Sequence, residues 1–361
     1  MYIFSSLIDN NCQNCWLLFR LILCYAKLGE IRELENRKGG ETMSELYETN
    51  MTTHRPWKKV LSVILSVILA FGTLVTLTVG SSRLQDWLGI KSMLSAYAAE
   101  YVDTAGAIAV DKDAMLADPH TINLENRDGS NTVYLFSEPI SFTDENGNLK
   151  TKDISVVKET DNALKAKGYT YTNGQNDYRI HFSQQAAQGV LVQFDGGSYT
   201  VAPVGSTDSV GEKSTSVSLN EEFETFSYAN AYGDGTALQF YPQLNGVKDE
   251  ITLDKFTGQT NFAFRLTTEN CTALLQKDGT VELQNSDGKC VQTFAAPFAY
   301  DSAYVVGDKN DHYTDCSYQL KQTGDHSYTL TVSVSKDWLQ NDNTAYPVTI
   351  DPVTANIANY R

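Results

Sequence analysis

The stretch from Ala237 to Leu253, ALQFYPQLNGVKDEITL, carries the strongest signal for the fold. Two strand-like runs, Ala237–Tyr241 and Val247–Leu253, flank an Asn-Gly pair at the end of Gln243–Gly246. Asn-Gly between two such runs is the strongest short-range signal for a β-hairpin, because both residues tolerate the positive φ of a tight turn. The stretch therefore predicts two antiparallel strands joined by a short turn.

Similar signals recur throughout residues 120–355, where Thr, Ser, Asn, Asp and Gly separate short apolar runs. No part of this region sustains a 3.6-residue apolar period, so we predict an all-β fold of antiparallel strands. Face-to-face packing of two sheets is the usual solution for such a pattern. Further strands are predicted at Asn131–Phe136, Ile140–Phe142, Lys152–Lys158, Gly168–Asn173, Asp177–Phe182, Gly189–Phe194, Ser198–Val204, Thr225–Asn230, Asn261–Thr267, Thr272–Gln276, Thr280–Gln284, Cys290–Phe294, Tyr304–Val306, Ser317–Gln322, Ser327–Val334 and Ala345–Ile350.

This region could form one large or two tandem antiparallel β-sandwich-like units. A weak internal sequence repeat favours two units that arose by duplication. Tyr171-Thr172-Asn173 and the strand after it resemble Tyr228-Ala229-Asn230 and its following strand. The possible halves are residues 120–207 and 217–355. Because strands in general share a similar residue composition, unrelated strands also show such similarity, so the choice between one unit and two stays open.

Upstream, Val60–Ser82 (VLSVILSVILAFGTLVTLTVGSS) contains no charged residue. A helix of this length, at about 1.5 Å per residue, is long enough to cross a hydrocarbon core of about 30 Å. Arg55, Lys58 and Lys59 precede it, and positive charge of this kind stays in the cytoplasm. We therefore predict a single transmembrane or signal helix, with residues 43–59 as a cytoplasmic basic n-region and the chain that follows outside.

Residues 1–42 are interpreted as a mistranslated leader. The string Arg37–Glu41 (RKGGE), just before Met43, is what translation of a purine-rich ribosome-binding site would give. The true start would then be Met43 or Met51.

Residues 83–119 are predicted to be a linker with a signal-peptidase site. Ala96-Tyr97-Ala98 fits the A-x-A pattern, which makes Ala96 and Ala98 the cleavage candidates. The motif lies unusually far from the apolar stretch, so an uncleaved membrane anchor is the alternative. Either way, residues 120–355 are expected outside the cytoplasm, membrane-anchored or secreted.

The balance of charge limits the possible partners. The chain carries 28 Lys and Arg against 44 Asp and Glu, a formal net charge of −16, and residues 101–361 contain no basic patch. Such a surface argues against nucleic acid as a partner, because binding to phosphates relies on clustered positive charge. The partners we expect are the membrane, through residues 60–82, and glycans of the cell envelope.

Three of the six cysteines, Cys271, Cys290 and Cys316, lie in the predicted β region. Cys271 and Cys290 flank an apparent hairpin and are therefore candidates for a disulfide. Packed free thiols are the alternative.

No motif for catalysis, a cofactor or a metal is found. The chain has no G-x-S-x-G nucleophile motif and no H-E-x-x-H zinc motif. His181 alternates with Ile180 and Phe182 in a predicted strand, which indicates a solvent-facing histidine. We accordingly predict no cofactor, no metal ligand and no catalytic residue.

Two groups of side chains have a second interpretation. The second interpretation of two acidic turns is calcium binding, although they lack the spaced loop with a terminal glutamate, and ordinary turn chemistry explains them more simply. The second interpretation of four tyrosines is a sugar-stacking surface, although core packing is their commoner use. The acidic groups are Asp144/Asn146/Asn148 and Asp308/Asn310/Asp311/Asp315, and the tyrosines are Tyr169, Tyr171, Tyr228 and Tyr232.

Several strings resemble the N-terminal region of wall-associated Rhs/YD-repeat proteins of Gram-positive bacteria, whose members often carry a DNRLRE-type module. They are Val133–Asn148 (VYLFSEPISFTDENGN), Tyr241–Leu253 (YPQLNGVKDEITL) and Pro297–Ala303 (PFAYDSA). The most specific is Trp338-Leu339 followed by Tyr346–Pro352 (YPVTIDP). In that family, a tryptophan-containing segment and YPV-x-IDP close the leading β-domain.

The resemblance covers about residues 120–355 and implies a leading domain whose downstream modules are missing, with residues 356–361 as the truncated start of the next module. The expected function is a non-catalytic extracellular spacer or presenting domain, not an enzyme, at the cell surface or secreted from a Gram-positive bacterium. The alternatives are a carbohydrate-binding adhesin module and a cell-wall or polysaccharide hydrolase.

Overall fold

The computed structural model describes residues 89–357, apart from 92, 207, 219–220 and 309. The predicted leader (1–42), n-region (43–59) and signal or transmembrane helix (60–82) all lie outside these described residues. Within them, no helix is both long and apolar enough to cross a membrane.

The described chain consists mainly of antiparallel strands, which confirms the all-β prediction. The strands are β1 (Ala107–Val110), β2 (Thr121–Asn126), β3 (Asn131–Leu135), β4 (Ser141–Thr143), β5 (Leu149–Thr151), β6 (Val156–Lys158), β7 (Tyr169–Asn173), β8 (Arg179–Ser183), β9 (Val190–Phe194), β10 (Gly197–Pro203), β11 (Gly211–Ser218), β12 (Glu221–Tyr228), β13 (Thr236–Gln243), β14 (Gly246–Leu253), β15 (Asn261–Glu269), β16 (Thr272–Leu275), β17 (Val281–Gln284), β18 (Cys290–Phe294), β19 (Phe298–Asp301), β20 (Tyr313–Asp315), β21 (Ser317–Gly324), β22 (Ser327–Ser333) and β23 (Val348–Ile357). The helices are α1 (Ala96–Tyr101), α2 (Lys112–Ala117), α3 (Asn162–Ala166) and α4 (Lys336–Leu339), with a 3₁₀ turn at Ala186–Gln188.

Two large sheets make up most of the fold. One has eight strands in the order β21-β22-β15-β10-β9-β8-β7-β6. The other has ten, in the order β11-β12-β13-β14-β23-β18-β17-β16, with β19 and β20 attached beside β23. Smaller sheets, β1-β2-β3 and β4-β5, precede them in the chain.

The eight-stranded sheet interleaves strands from both predicted halves. The eight-stranded sheet combines β6–β10, from residues 120–207, with β15, β21 and β22, from residues 217–355. Strand β15 pairs with β10 on one side and β22 on the other, so backbone hydrogen bonds join the halves. Tandem halves are therefore corrected to one large unit, because the eight-stranded sheet requires strands from both halves.

A single apolar core lies between the large sheets. Phe182 on β8 stacks on Phe226 on β12, with ring centroids 5.0 Å apart, which places the two sheets face to face as a sandwich. Strand β22 shows the expected period of two, with Tyr328, Leu330 and Val332 all buried. Burying a large apolar side chain of this kind contributes about 1.5–3 kcal/mol.

The opening hairpin forms as predicted, with a shifted turn. Strands β13 and β14 pair antiparallel, and Gln243 lies opposite Gly246, so the loop is Leu244-Asn245. Gly246, with φ of 157°, therefore begins the returning strand instead of ending the turn.

Residues 89–119 differ from the linker that the sequence analysis predicts. They contain α1, β1 and α2, and they supply Ala98 and Met115 to a second apolar cluster that also contains Ile122 and Ile140. These four side chains are fully buried. The short elements were hidden in the sequence because none is long enough to show a clear period.

Candidate functional site

The predicted cleavage residues lie in helix α1. Ser95 caps this helix, and its hydroxyl accepts a hydrogen bond from the Ala98 N–H at 3.0 Å. Ala96 is exposed, whereas Ala98 is fully buried. Since proteolysis concentrates at exposed, poorly ordered segments, cleavage at Ala98 would have to precede folding. Signal-peptidase cleavage at Ala98 therefore stays a prediction, and it applies to the unfolded chain.

The predicted disulfide does not form: Cys271, Cys290 and Cys316 are all free thiols. Cys271 immediately precedes β16 and Cys290 begins β18, and strand β17 lies between them. Two strand spacings are roughly 9.5 Å, which exceeds the Cα separation of about 7 Å that a disulfide can bridge. The structure therefore agrees with the alternative, free thiols packed in the fold. Burial raises the pKa of Cys271 to about 11 and that of Cys316 to about 12.

His181 is buried and not solvent-facing. Its Nδ1 lies 2.6 Å from the Glu159 carboxylate, and its Nε2 lies 2.9 Å from the Gln193 side-chain oxygen. The prediction was wrong because side chains from neighbouring strands of the same sheet surround the ring. Tyr169 on β7 contacts it edge-on with centroids 6.1 Å apart, and the carboxylate of Glu159, just after β6, reaches its Nδ1.

The tyrosines proposed for sugar stacking pack in the protein interior. Tyr169 and Tyr228 are buried, Tyr171 packs on Phe226, and the Tyr232 hydroxyl donates to the Ala263 carbonyl at 3.0 Å. Core packing, the commoner use, is therefore their role.

The first acidic group is an ordinary turn. The Asp144 carboxylate accepts hydrogen bonds from the Asn146 and Asn148 N–H groups at 2.9 and 2.8 Å. Among residues 89–357 as described, no group of three or more His, Cys, Asp or Glu side chains could hold a metal ion.

The clearest concentration of polar chemistry lies on the outer face of the ten-stranded sheet, around β14. This strand carries three consecutive charges, Lys248, Asp249 and Glu250, and all three are buried. Because side chains alternate along a strand, Asp249 points into the sandwich core, while Lys248 and Glu250 share the opposite face.

On that outer face the side chains form what we call the Lys248 cluster: Lys248, Glu250, Asp351, Tyr241 and Tyr300. The Lys248 ammonium lies 2.8 Å from the Glu250 carboxylate and 3.2 Å from that of Asp351. The Tyr241 hydroxyl donates to Glu250 at 2.6 Å, and the Tyr300 hydroxyl donates to it at 3.3 Å. The cluster thus joins four strands, β13, β14, β19 and β23.

A β-bulge positions Asp351. Asp249 pairs with Val353 and Ile251 pairs with Ile350, so β23 places two residues, Asp351 and Pro352, opposite the single residue Glu250. Proline lacks the N–H of a regular ladder and is accommodated at such bulges. The IDP string of the sequence is therefore the bulge that brings a carboxylate to Lys248.

Burial and mutual charge shift the protonation of this cluster. Burial raises the pKa of Asp351 to about 6, although Lys248 opposes the shift. Burial lowers the pKa of Lys248, but the attraction of Asp351 and Glu250 outweighs it and raises the value above the ordinary one. Burial, reinforced by the charge of Asp351, also raises the pKa of Asp249 well above its ordinary value.

Beside the cluster lies an aromatic platform, formed by Phe298, Tyr300, Tyr304 and Tyr313. Phe298 stacks on Tyr313 with centroids 5.5 Å apart, and Tyr304 contacts the rings of Tyr300 and Tyr313 at 5.4 and 5.9 Å. Phe298, Tyr304 and Tyr313 are half-buried, so part of the platform faces solvent. Flat, partly exposed rings of this kind can stack on apolar faces of a ligand while their hydroxyls bind water or polar groups.

Sequence reasoning missed both features, although signals for each were present. In Val247–Leu253, period two already places Asp249 on the same face as Val247, Ile251 and Leu253. A carboxylate among these apolar side chains should have indicated a buried charge. The alternation of Phe298 and Tyr300 was the signal for the platform.

Comparisons with known proteins give distant relatives. The chain is 25% identical over 206 residues, 55% of its length, to the tRNA nuclease WapA of Bacillus subtilis (strain 168). It is 25% identical over 245 residues, 63% of its length, to the tRNA3(Ser)-specific nuclease WapA of Bacillus spizizenii. These alignments cover only 8% and 10% of the two relatives.

No family model matches the chain, and no solved structure matches it significantly. The WapA relatives agree with the resemblance to wall-associated Rhs/YD-repeat proteins, and nothing in the comparisons bears on the DNRLRE module. At this level, the chain is similar to a short segment of much longer wall-associated proteins.

Proposed function

We propose that residues 89–357 form a non-catalytic extracellular domain that spaces or presents other modules of a bacterial surface or secreted protein. The alignment to 8–10% of the length of WapA proteins carries this proposal, because it pairs the chain with a small part of a long surface protein. The structure supports it, since an apolar core lies between the two large sheets. The domain would serve as a stable, folded unit.

The names of the relatives require a test for nuclease activity. Those proteins are tRNA nucleases, and an activity in the matched segment would contradict a spacer. The net charge of −16 opposes binding of a polyanion such as tRNA. We expect the purified chain to leave a tRNA pool intact with and without Mg²⁺, and cleavage that a Glu250→Gln variant abolishes would overturn the proposal.

The finer assignment is that the domain precedes a DNRLRE module and YD repeats in a longer gene. Its support is the YPVTIDP string at Tyr346–Pro352. The nucleotide sequence past the Arg361 codon tests it, because a continuing or shifted frame should encode those modules. A stop codon and terminator there would contradict it.

Export is the third element of the proposal, and the uncharged stretch Val60–Ser82 supports it. In cells that express the full chain, external protease should digest residues 89–357, while a cytoplasmic marker protein survives. Protection of both until the membrane is lysed would overturn the extracellular location.

A second candidate function is carbohydrate binding, and the aromatic platform is the observation that favours it. Peptidoglycan fragments and wall polysaccharides on a glycan array are the appropriate probes. A spacer should bind none of them, whereas an adhesin module should bind a defined glycan and bind it several-fold more weakly when Tyr304 or Tyr313 is replaced by alanine.

A further inference from the structure

Lys248 and Asp351 meet across two neighbouring antiparallel strands, β14 and β23. The Lys248 Nζ lies 3.2 Å from the nearer carboxylate oxygen of Asp351, and the two side chains are only 11% and 5% exposed. We propose that these side chains condense into an intramolecular amide bond that links β14 to β23, with Glu250 as the proton-transfer group. This inference does not depend on what the domain presents.

The geometry favours the reaction because both groups are held in place before it begins. Reaction proceeds without further diffusion when the reacting atoms, here Nζ and Cγ, lie about 3–3.5 Å apart, and Nζ already contacts an oxygen bonded to that Cγ. The ladder between β14 and β23 fixes their backbones, and the bulge at Asp351 directs its side chain to Lys248. No large movement is needed before the bond can form.

Glu250 is placed to move the protons. Its carboxylate lies 2.8 Å from the Lys248 ammonium and is held by the hydroxyls of Tyr241 and Tyr300. The proton that Lys248 must lose can pass to Glu250, which can return it to the oxygen that leaves Asp351.

The step balances without an oxidant, a reductant or another reactant. The neutral Lys248 amine attacks Cγ of the protonated Asp351 carboxyl group, and a C–N bond forms. The Cγ–OH bond then breaks, and the departing hydroxyl takes the proton from Glu250 and leaves as water. The second proton of the nitrogen passes to the Glu250 carboxylate, which ends the step protonated.

Protonation of the reactants sets the rate more than the geometry does. Burial raises the pKa of Asp351 to about 6, which maintains some of the protonated acid near neutral pH. The two neighbouring carboxylates raise the pKa of Lys248 above its ordinary value, so the free amine is scarce. The reaction is therefore a slow, single maturation event.

Burial also favours the product. Keeping an ammonium and a carboxylate away from water is costly even when they are paired. The amide is uncharged, so its formation removes this cost from both side chains and leaves Glu250 with its tyrosine partners.

The chain provides two internal comparisons. Lys152 lies 2.9 Å from Asp177, but that carboxylate is 35% exposed, and Lys213 lies 2.7 Å from Glu224 with both side chains at least 36% exposed. Lys248 differs because two buried carboxylates contact its ammonium. We expect an amide only at Lys248.

The purified full chain, incubated after folding, is denatured, digested with trypsin and analysed by mass spectrometry. Trypsin does not cleave after an acylated lysine, so the bond predicts a branched product in which residues 214–255 are joined to residues 337–361. Its mass should equal the sum of the two peptides minus one water molecule. Lys152 and Lys213 should be cleaved normally.

Variants separate the roles of the three residues. Lys248→Arg should give only linear peptides, and Asp351→Asn should form the same product with loss of ammonia in place of water. Glu250→Gln should slow or abolish the reaction, and circular dichroism will show whether that variant is folded.

The wild-type chain decides the proposal by itself. If folded wild-type protein yields only linear peptides 214–248 and 337–361 after prolonged incubation, the bond does not form. If folded Glu250→Gln links as fast as wild type, the role assigned to Glu250 is overturned.

Discussion

The Lys152 ammonium lies 2.9 Å from the Asp177 carboxylate, where the N-terminal elements meet the sandwich. Lys152 is fully buried and also donates to the Leu244 carbonyl at 2.8 Å. The Lys152 carbonyl, in turn, accepts a hydrogen bond from Ser95, which caps α1. One residue therefore ties the second apolar cluster to the main sheets.

Asp177→Ala should destabilise the protein more than Lys152→Met. The first change leaves a buried ammonium without its counter-charge, which typically costs about 3–5 kcal/mol. The second removes the charge and leaves Asp177, which is 35% exposed, to interact with water. We expect its cost to stay within about 1–2 kcal/mol. Urea unfolding of both variants measures the difference, and equal losses would contradict this account.

Asp249 should make stability fall as the pH rises. Its folded-state pKa lies above its ordinary value near 4, so the folded protein holds a proton that the unfolded chain releases. The stabilisation that comes from protonated Asp249 is fully present at low pH. It is lost as the pH rises from about 4 through the folded-state pKa. Asp249→Asn should remove this loss and be more stable than wild type at pH 8, because the variant has no carboxyl proton to lose.

Unfolding free energies at pH 5 and pH 8 test this expectation. The difference between the two pH values should be smaller in Asp249→Asn than in wild type. An unchanged difference would show that Asp249 titrates normally.

Cysteine modification should show that no disulfide links Cys271 to Cys290. Unreduced, denatured protein treated with iodoacetamide should carry the label in both tryptic peptides, residues 266–277 and 290–309. In the native protein, Cys271 should react slowly because burial raises its pKa to about 11. Labelling that requires a reductant would instead demonstrate the bridge.

Tyr304→Ala should weaken any glycan binding about fivefold, because it removes one ring of the aromatic platform, worth about 1 kcal/mol. The matched control is Tyr101→Ala, which removes a tyrosine that is 54% exposed and outside the platform. Isothermal titration with a glycan identified on the array compares them. Equal losses in the two variants would place the binding surface elsewhere.

Ala98→Leu should lower the free energy of unfolding by about 1–3 kcal/mol, because extra methylene groups do not fit a packed core. Ala96→Leu, on the exposed side of α1, is the control and should cost little. Thermal denaturation measures both. If the two variants melt alike, α1 is not packed in the native protein.

The strands were largely predictable, because each depends on local alternation and on turn residues. The hairpin at Ala237–Leu253 was found for this reason, and its turn moved by only one residue. The pairing of β15 with β10 and β22 was not predictable, because no local pattern specifies which distant strands become neighbours. The same limit applies to the Lys248 cluster, whose carboxylate at Asp351 lies about a hundred residues along the chain from Lys248.

Strand β23, formed by Val348–Ile357, pairs with β14 on one side and with β18 and β19 on the other. It comes last of all the described strands, yet it occupies the middle of the ten-stranded sheet. Until this segment has been synthesised, the sheet lacks the strand that joins β14 to β18. The facing edges of those two strands therefore stay unpaired. Such an order of assembly suits a chain that is threaded across a membrane unfolded and acquires its native structure only on the far side.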